Sequence, residues 1–415
     1  MASSNAKIFS CPRNFALSGG LALSLLLSGC TGKPAPGPTA SATPATPAAT
    51  PANFETMTFE QVSALYEAPV AEAENGWPLV RPLLVASSPE TPPVIDRLQE
   101  LDLSKAPDLA YFDKDVLPTL QSAMSKPAFL ESHPLLSGRD PLMMQYRSLR
   151  TLCELVGQRA DLYWSAGNRD KALELVRLPL SLAKAMQSRP ETVSVNLFSQ
   201  GYANTSLALL ADWAADGSLV EPQVATARTL LAENRPHYRH LRDAMAVDFA
   251  QLENSINDEA TRTEVLGLGM AKPQELTTWV EQIRGLQDDA LAMYGFEPVN
   301  PAKFNDEVMK QSPQVHGLVL DYPPTVEAQK RGYVSYLATE LALALEQIRL
   351  AKGPTPDTEK LLSDTFGSDE EAIKAAHAFL LLELKPGQPL ANFAIASKPN
   401  AFPLTAPEAP PFYQR

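Results

Sequence analysis

Cysteine is scarce in this chain, with three in 415 residues. No dense disulfide framework is open to it. Aromatic residues are also few, at 7%, and glycine is modest, at 20. No apolar run reaches the length of about 18 residues that a membrane-spanning helix requires. Positive charge is outweighed, with 35 Lys and Arg against 48 Asp and Glu and a net charge of −13. That balance excludes broad nucleic-acid binding, which needs a basic surface. The chain is not short of core material: 45% of its residues are hydrophobic and 20% charged, which excludes wholesale disorder. What it has in excess is proline, 37 in all. With so little glycine, this fits short helices and Pro-rich connectors better than a β-sandwich.

Residues 1–29 read as an export signal. Lys7 and Arg13 supply a positive start, and Phe15 to Leu27 a short apolar stretch of helix formers. Such a stretch is too short to span a bilayer, which separates a signal from an anchor. It ends in Leu27-Ser28-Gly29-Cys30, which resembles the lipobox of bacterial lipoproteins. The resemblance implies cleavage before Cys30 and acylation of its thiol, and hence attachment to the lipid bilayer. Two or three acyl chains anchor firmly where one does not, because each buried CH₂ adds about 0.8 kcal/mol. Thr31, rather than Asp, follows the Cys, which by the usual sorting pattern favours the outer membrane, facing the periplasm. An ordinary secretory signal with an incidental Cys30 is the competing reading. Loss of Cys11 with the signal and acylation of Cys30 leave Cys153 as the single thiol of the exported body. That body is acidic, so the acyl anchor and not its surface charge holds it at an anionic membrane.

Residues 30–53 follow as a tether. From 33 to 52 they are almost wholly Pro, Ala and Thr, a composition that buries no core. At about 3.1 Å per residue such a segment reaches roughly 60 Å from the lipid. The helical domain spans 54–398, with a possible sub-boundary near 257–272. Its clearest helix follows Asp140-Pro141, a capping residue with proline at the first helical position. Leu142, Tyr146, Leu149, Cys153, Val156, Ala160 and Tyr163 then lie at helical spacing on one face. Gly167-Asn168 breaks that helix and starts another, lined by Ala172, Leu175, Val176, Ala183 and Met186 up to Pro190. Further helices are predicted over 192–215, over 222–234 and from Pro236 along Tyr238, Leu241, Met245, Phe249, Leu252 and Ile256. After a loop at 257–272, two more are predicted over 273–294 and 325–352. Phe379 to Leu384 and Asn392 to Ala396 flank Lys385-Pro386-Gly387-Gln388 and predict a small hairpin. The Pro-rich tail, 399–415, reads as extended on the surface.

Ala160 to Ala183, with Tyr163, Gly167 and Ala172 in register, resembles one tetratricopeptide (TPR) helix pair. Pro179 departs from that pattern. Gly217, the next comparable turn, lies 50 residues on, against the repeat's period of about 34. More diffusely, Glu74-Asn75-Gly76-Trp77, Lys126-Pro127-Ala128-Phe129, this helix pair and Arg189-Pro190 are similar to a group of exported bacterial helical proteins. That likeness brings no activity with it. The expected fold is all-α, a TPR-like helical-hairpin body, solenoidal if the pairs stack, with a small C-terminal hairpin.

Chemistry is sparse. Ser181-Leu182-Ala183-Lys184 and Ser194-Val195-Asn196 match two motifs of serine acylases of the penicillin-binding type. Only 13 residues separate Ser181 from Ser194, no K-T-G follows, and chance explains the match. Arg235, His237, Arg239, His240 and Arg242 form a basic knot at a predicted helix start. A helix N-terminus with guanidinium groups can hold an anion or a partner. The plainer reading is a solvated face balanced by Glu233, Asp243 and Asp248. His237 and His240 with Asp243 make a conceivable metal edge, but no further ligand motif supports it. Gly267-Leu268-Gly269 lacks the rest of a nucleotide loop. Cys153 reads as a small buried hydrophobe. No cofactor, metal or catalytic residue is therefore expected. The sequence implies a binding or scaffold body whose partner is an envelope protein or peptide. The alternative is an envelope hydrolase with an active site assembled from distant helices.

Overall fold

The computed structural model describes residues 59–85, 94–130, 143–189, 191–264, 268, 270–319, 321–390, 393–404 and 413–414. The signal, Cys30, the tether, the Asp140-Pro141 cap, Leu142, Pro190, Gly267, Gly269 and most of the tail lie outside the described residues. What is described is all-α with a small sheet. Helices α1 (Phe59–Glu67), α2 (Trp77–Leu84), α3 (Val94–Leu98), α4 (Ala106–Tyr111) and α5 (Leu117–Met124) come first. Then follow α6 (Met143–Ser165), α7 (Arg169–Met186), α8 (Val193–Ala215), α9 (Glu221–Asn234) and α10 (Arg239–Asn257). The next are α11 (Glu259–Glu264), α12 (Pro273–Ala292), α13 (Pro301–Val308), α14 (Pro313–Val319) and α15 (Tyr322–Leu350). Helices α16 (Thr358–Phe366) and α17 (Glu370–Phe379) lead into strands β1 (Leu380–Glu383), β2 (Ala394–Ser397) and β3 (Tyr413–Gln414). No helix among the described residues is long and apolar enough to cross a membrane.

Proline opens many of the described helices. Proline occupies the first or second helical position of α2, α4, α5, α9, α12, α13 and α15. There its missing N–H costs nothing and its fixed φ is already helical. Helices α6 and α7 form the expected hairpin, turned by Gly167 at φ +80°. The left-handed conformation at that turn is one that glycine adopts without strain. Tyr146, Leu149, Cys153, Val156 and Ala160 are buried as their spacing predicts. Tyr163 is half-buried at the edge of the core, with its ring 3.7 Å from the Arg159 guanidinium carbon. Trp164 takes the inward place instead and stacks on Trp213 of α8, with ring centroids 4.0 Å apart.

Helices α6, α7 and α8 pack on one another, α9 packs on α7, and α15 lies against α8 and α9. A solenoid is not confirmed. Helix α15 is 29 residues long, and its buried positions run around the whole helix, including Tyr333, Val334, Tyr336, Leu337, Leu341 and Leu345. A helix apolar on every side belongs in the middle of a core. Each of its fully buried large side chains contributes roughly 1.5–3 kcal/mol by leaving water. Its charged members carry their own partners. Lys330 is 1% exposed and its Nζ donates to Met293 O, Gly295 O and Glu297 O at 2.9, 2.7 and 2.7 Å. That ammonium closes off the C-terminal end of α12.

Three expectations are corrected, and the expected hairpin forms as part of a larger sheet. The loop at 257–272 contains α11, opened by Asp258, whose carboxylate accepts from Thr261 N at 2.8 Å. Helix α10 begins at Arg239 rather than Pro236, because residues 235–238 form the turn that leaves α9. The small hairpin is one edge of a three-stranded antiparallel sheet of order β1-β2-β3. Its Lys385-to-Gln388 segment does turn, with Gln388 N donating to Lys385 O at 3.3 Å, but within a longer connection between Glu383 and Ala394. It docks on Thr355, whose N donates to Gln388 O at 2.9 Å. The tail is not wholly superficial either. Ala401 and Phe402 are buried, Phe402 stacks on Phe379 with centroids 5.5 Å apart, and Tyr413 pairs with Ile395 in β3.

Candidate functional site

The basic knot is not one surface. Arg235, the residue that ends α9, turns inward. Its Nη1 lies 3.2 Å from Glu340 Oε2 and its Nε 3.4 Å from Asp369 Oδ2, and its guanidinium carbon stands 5.2 Å from the Phe366 ring. The solvated-face reading fails for this residue. Arg239 stays outside and pairs with Asp243 at 3.7 Å. Arg242 and His237 are exposed. His240 packs edge-on to His237 with ring centroids 5.3 Å apart. Its Nδ1 is buried and has no hydrogen-bond partner among the described residues. Burial, with His237 and Arg239 close by, pushes its pKa down to about 4. No cluster of three His, Cys, Asp or Glu that could hold a metal occurs among the described residues.

The inward arginine leads to a cavity of about 320 Å³ between α9, α15 and α16. Glu340, 3% exposed, forms part of its wall. Arg228, one turn and a half before the end of α9, is half-buried beside it, and its Nη1 donates to Gln347 Oε1. Thr365 of α16 also lines the space, with its Oγ1 buried and lacking a hydrogen-bond partner among the described residues. Ala225, Thr229 and Ala232 form the exposed α9 edge. Burial pushes the Glu340 carboxyl up to about 7, against the opposing pull of Arg235 and Arg228. Burial also lowers the Arg228 pKa, though Glu340 and Asp364 act against it. The site thus sets two guanidinium groups around one buried carboxyl at the wall of an open space.

This combination separates it from another cavity of similar size. A notch of about 260 Å³ beside α12 is lined by Glu281, Asp289 and Glu307. Two of its carboxylates are already paired, Asp289 with Lys303 at 3.6 Å and Glu307 with Lys310 at 2.6 Å. It holds no buried charged group.

The serine motifs do not assemble a nucleophile and base. Ser181 Oγ contacts Asn234 Oδ1 at 3.4 Å, whereas Lys184 Nζ donates to Glu233 O. Asn196 is buried elsewhere and accepts from Gln329 Nε2 at 3.1 Å. Cys153 is fully buried, which pushes its thiol pKa well up and keeps it protonated.

Sequence reading reached Arg235 but missed Arg228, Glu340, Gln347, Thr365 and Asp369. They come from separate helices, and no local spacing joins them. One signal was present: Glu340 stands among Leu337, Leu341, Leu343 and Leu345, a carboxylate inside an apolar run. A buried charge in such a place needs a partner, and Arg235 is it. Comparison with protein families, curated proteins and solved structures returns no match to this chain.

Proposed function

We propose that the chain is an outer-membrane lipoprotein, held through acyl chains on Cys30 and facing the periplasm, whose helical body is a binding module. The lipobox-like Leu27 to Cys30 and the Pro/Ala/Thr tether support the anchor. One observation carries the binding role: the 320 Å³ cavity with Arg228, Glu340 and Thr365 on its walls. Small-molecule sites begin at about 300 Å³ and set a few polar groups among apolar ones. Arg228, Glu340 and Thr365 are such groups, and Ala225 and Ala232 supply the apolar edge. The partner is an envelope protein or peptide, reached by the tether, whose end group enters the cavity.

The test is photocrosslinking in cells. A photoreactive residue at Thr229, on the rim, should capture a discrete species that the same residue at exposed Met309 does not. Identical capture from both positions would remove the cavity from the binding role. Cys30→Ala should leave the protein unprocessed and without acyl chains. A mature-sized, detergent-partitioning Cys30→Ala protein would refute the anchor. Turnover of an envelope substrate by the purified protein, abolished by one carboxylate or His substitution, would replace binding with hydrolysis.

A further inference from the structure

The cavity's own chemistry narrows what it takes. Resting on the binding role proposed above, we infer that the Arg228 cavity captures a free carboxylate, such as the C-terminus of a peptide or a small aliphatic acid. The donors outnumber the acceptors. Arg228 has five N–H groups, and the one bond to Gln347 Oε1 leaves others for a ligand. Because the Gln347 oxygen is occupied, its amide nitrogen remains to donate. The Thr365 hydroxyl is buried without a partner among the described residues, a group that a ligand oxygen would satisfy. Against these stands one carboxyl, Glu340, with one oxygen already engaged by Arg235 at 3.2 Å.

A ligand rich in acceptors answers this set. A carboxylate is planar, matches the guanidinium fork and carries a single negative charge. Phosphate brings more charge toward Glu340 and Asp369, on the far side of Arg235. An amine would meet Arg228 and be repelled. The small Ala225 and Ala232 edges leave room for a short aliphatic group behind the carboxylate.

The experiment uses the full-length protein in detergent, with alanine and threonine methyl groups labelled for NMR. Acetyl-alanyl-alanine, its C-terminal amide, propionate, propylamine and inorganic phosphate are titrated separately. Acetyl-alanyl-alanine should shift the Ala225, Thr229, Ala232 and Thr365 methyl signals, and its amide should bind roughly tenfold more weakly or not at all. Arg228→Gln should weaken the acid by a similar factor while the rest of the spectrum is unchanged. Propionate binding as tightly as the dipeptide would identify a small acid as the source, and a dipeptide preference a peptide terminus. Equal binding of acid and amide would overturn the carboxylate assignment but keep the cavity as a ligand site. So would shifts with phosphate or propylamine and none with either acid. No shift with any probe would defeat the cavity as a binding site altogether.

Discussion

Asp248 Oδ1 accepts a hydrogen bond from Val193 N at 3.0 Å, so a carboxyl of α10 caps the start of α8. The group is partly buried, and burial pushes its pKa up to about 7 although the Val193 bond acts the other way. Glu340 is raised to about 7 as well, also by burial. A carboxyl raised in the folded state binds a proton that the unfolded chain has released. Its contribution is fully present below the unfolded value near 4 and is lost as pH rises through about 7. His240 works in the opposite sense. Its folded pKa of about 4 means that stability is lost as pH falls below its unfolded value near 6.5. Asp248→Asn keeps an acceptor for Val193 and removes the titration. It should unfold at higher urea concentration than wild type near pH 8, by on the order of 4 kcal/mol, and the difference should vanish only as pH falls below about 4. Equal urea midpoints near pH 8 would show that Asp248 is ionised without penalty.

Arg235 serves two carboxylates, Glu340 and Asp369, and is itself only 14% exposed as a side chain. Near pH 8, where Glu340 is ionised, Arg235→Met leaves it buried without its cation, which should cost about 3–5 kcal/mol. Arg235→Met with Glu340→Leu removes both ends and should recover most of that loss. Urea unfolding of the two single variants and the double measures the coupling. Additive losses would mean that the pair is already solvated.

The long helices were legible because their apolar positions repeat at helical spacing and glycine or proline marks their ends. Gly167 and Gly217 both take positive φ where a break was read. The first part of the body, from Phe59 to Leu130, shows no sustained helical spacing in its sequence. Helices α1 to α3 are short, five to nine residues, and α4 and α5 are joined through a π-helical segment, Phe112–Val116, that breaks the regular helical spacing. The tail was misread for a related reason: its prolines suggested solvent, whereas Phe402 is held by Phe379, a residue that follows no local pattern with it. The cavity was illegible because its groups lie on three helices far apart in the chain.

Two short segments noted in the sequence, Glu74 to Trp77 and Lys126 to Phe129, meet in space. Gly76 N donates to Ala128 O at 2.9 Å, and Asn75 Oδ1 accepts from Leu130 N at 3.1 Å. Trp77 packs edge-on to Phe129 with ring centroids 5.6 Å apart. A Cβ at Gly76 would lie 2.1 Å from the backbone oxygen of Ala123, which has no flexible end to move. Gly76→Ala should therefore destabilise by about 1–3 kcal/mol or more and red-shift the Trp77 emission. Wild-type stability in this variant would show that the two segments are not held this closely.

Cys153 is fully buried on α6, beside Tyr202. It should resist alkylation in the native protein and react once the chain is denatured. Cys153→Asp should cost several kcal/mol by burying an unpaired charge, about 3 or more. Mass spectrometry after brief iodoacetamide exposure decides the first point; rapid native labelling would place the thiol at the surface and break the α6 register.

Carboxylate capture should depend on pH through Glu340. Arg235 from the end of α9, Arg228 from α9 and Asp369 from the start of α17 all face it, and Asp364 of α16 acts on Arg228. Below about 7 Glu340 is protonated, the two arginines exceed the neighbouring negative charge, and an incoming carboxylate is favoured. Above that value the Glu340 charge repels the ligand and competes for the same guanidinium groups. The affinity for acetyl-alanyl-alanine should fall roughly tenfold between about pH 6 and about pH 8. Glu340→Gln keeps an acceptor for Arg235 and should hold the higher affinity across that range. A wild-type-like pH slope in Glu340→Gln would assign the titration to another group.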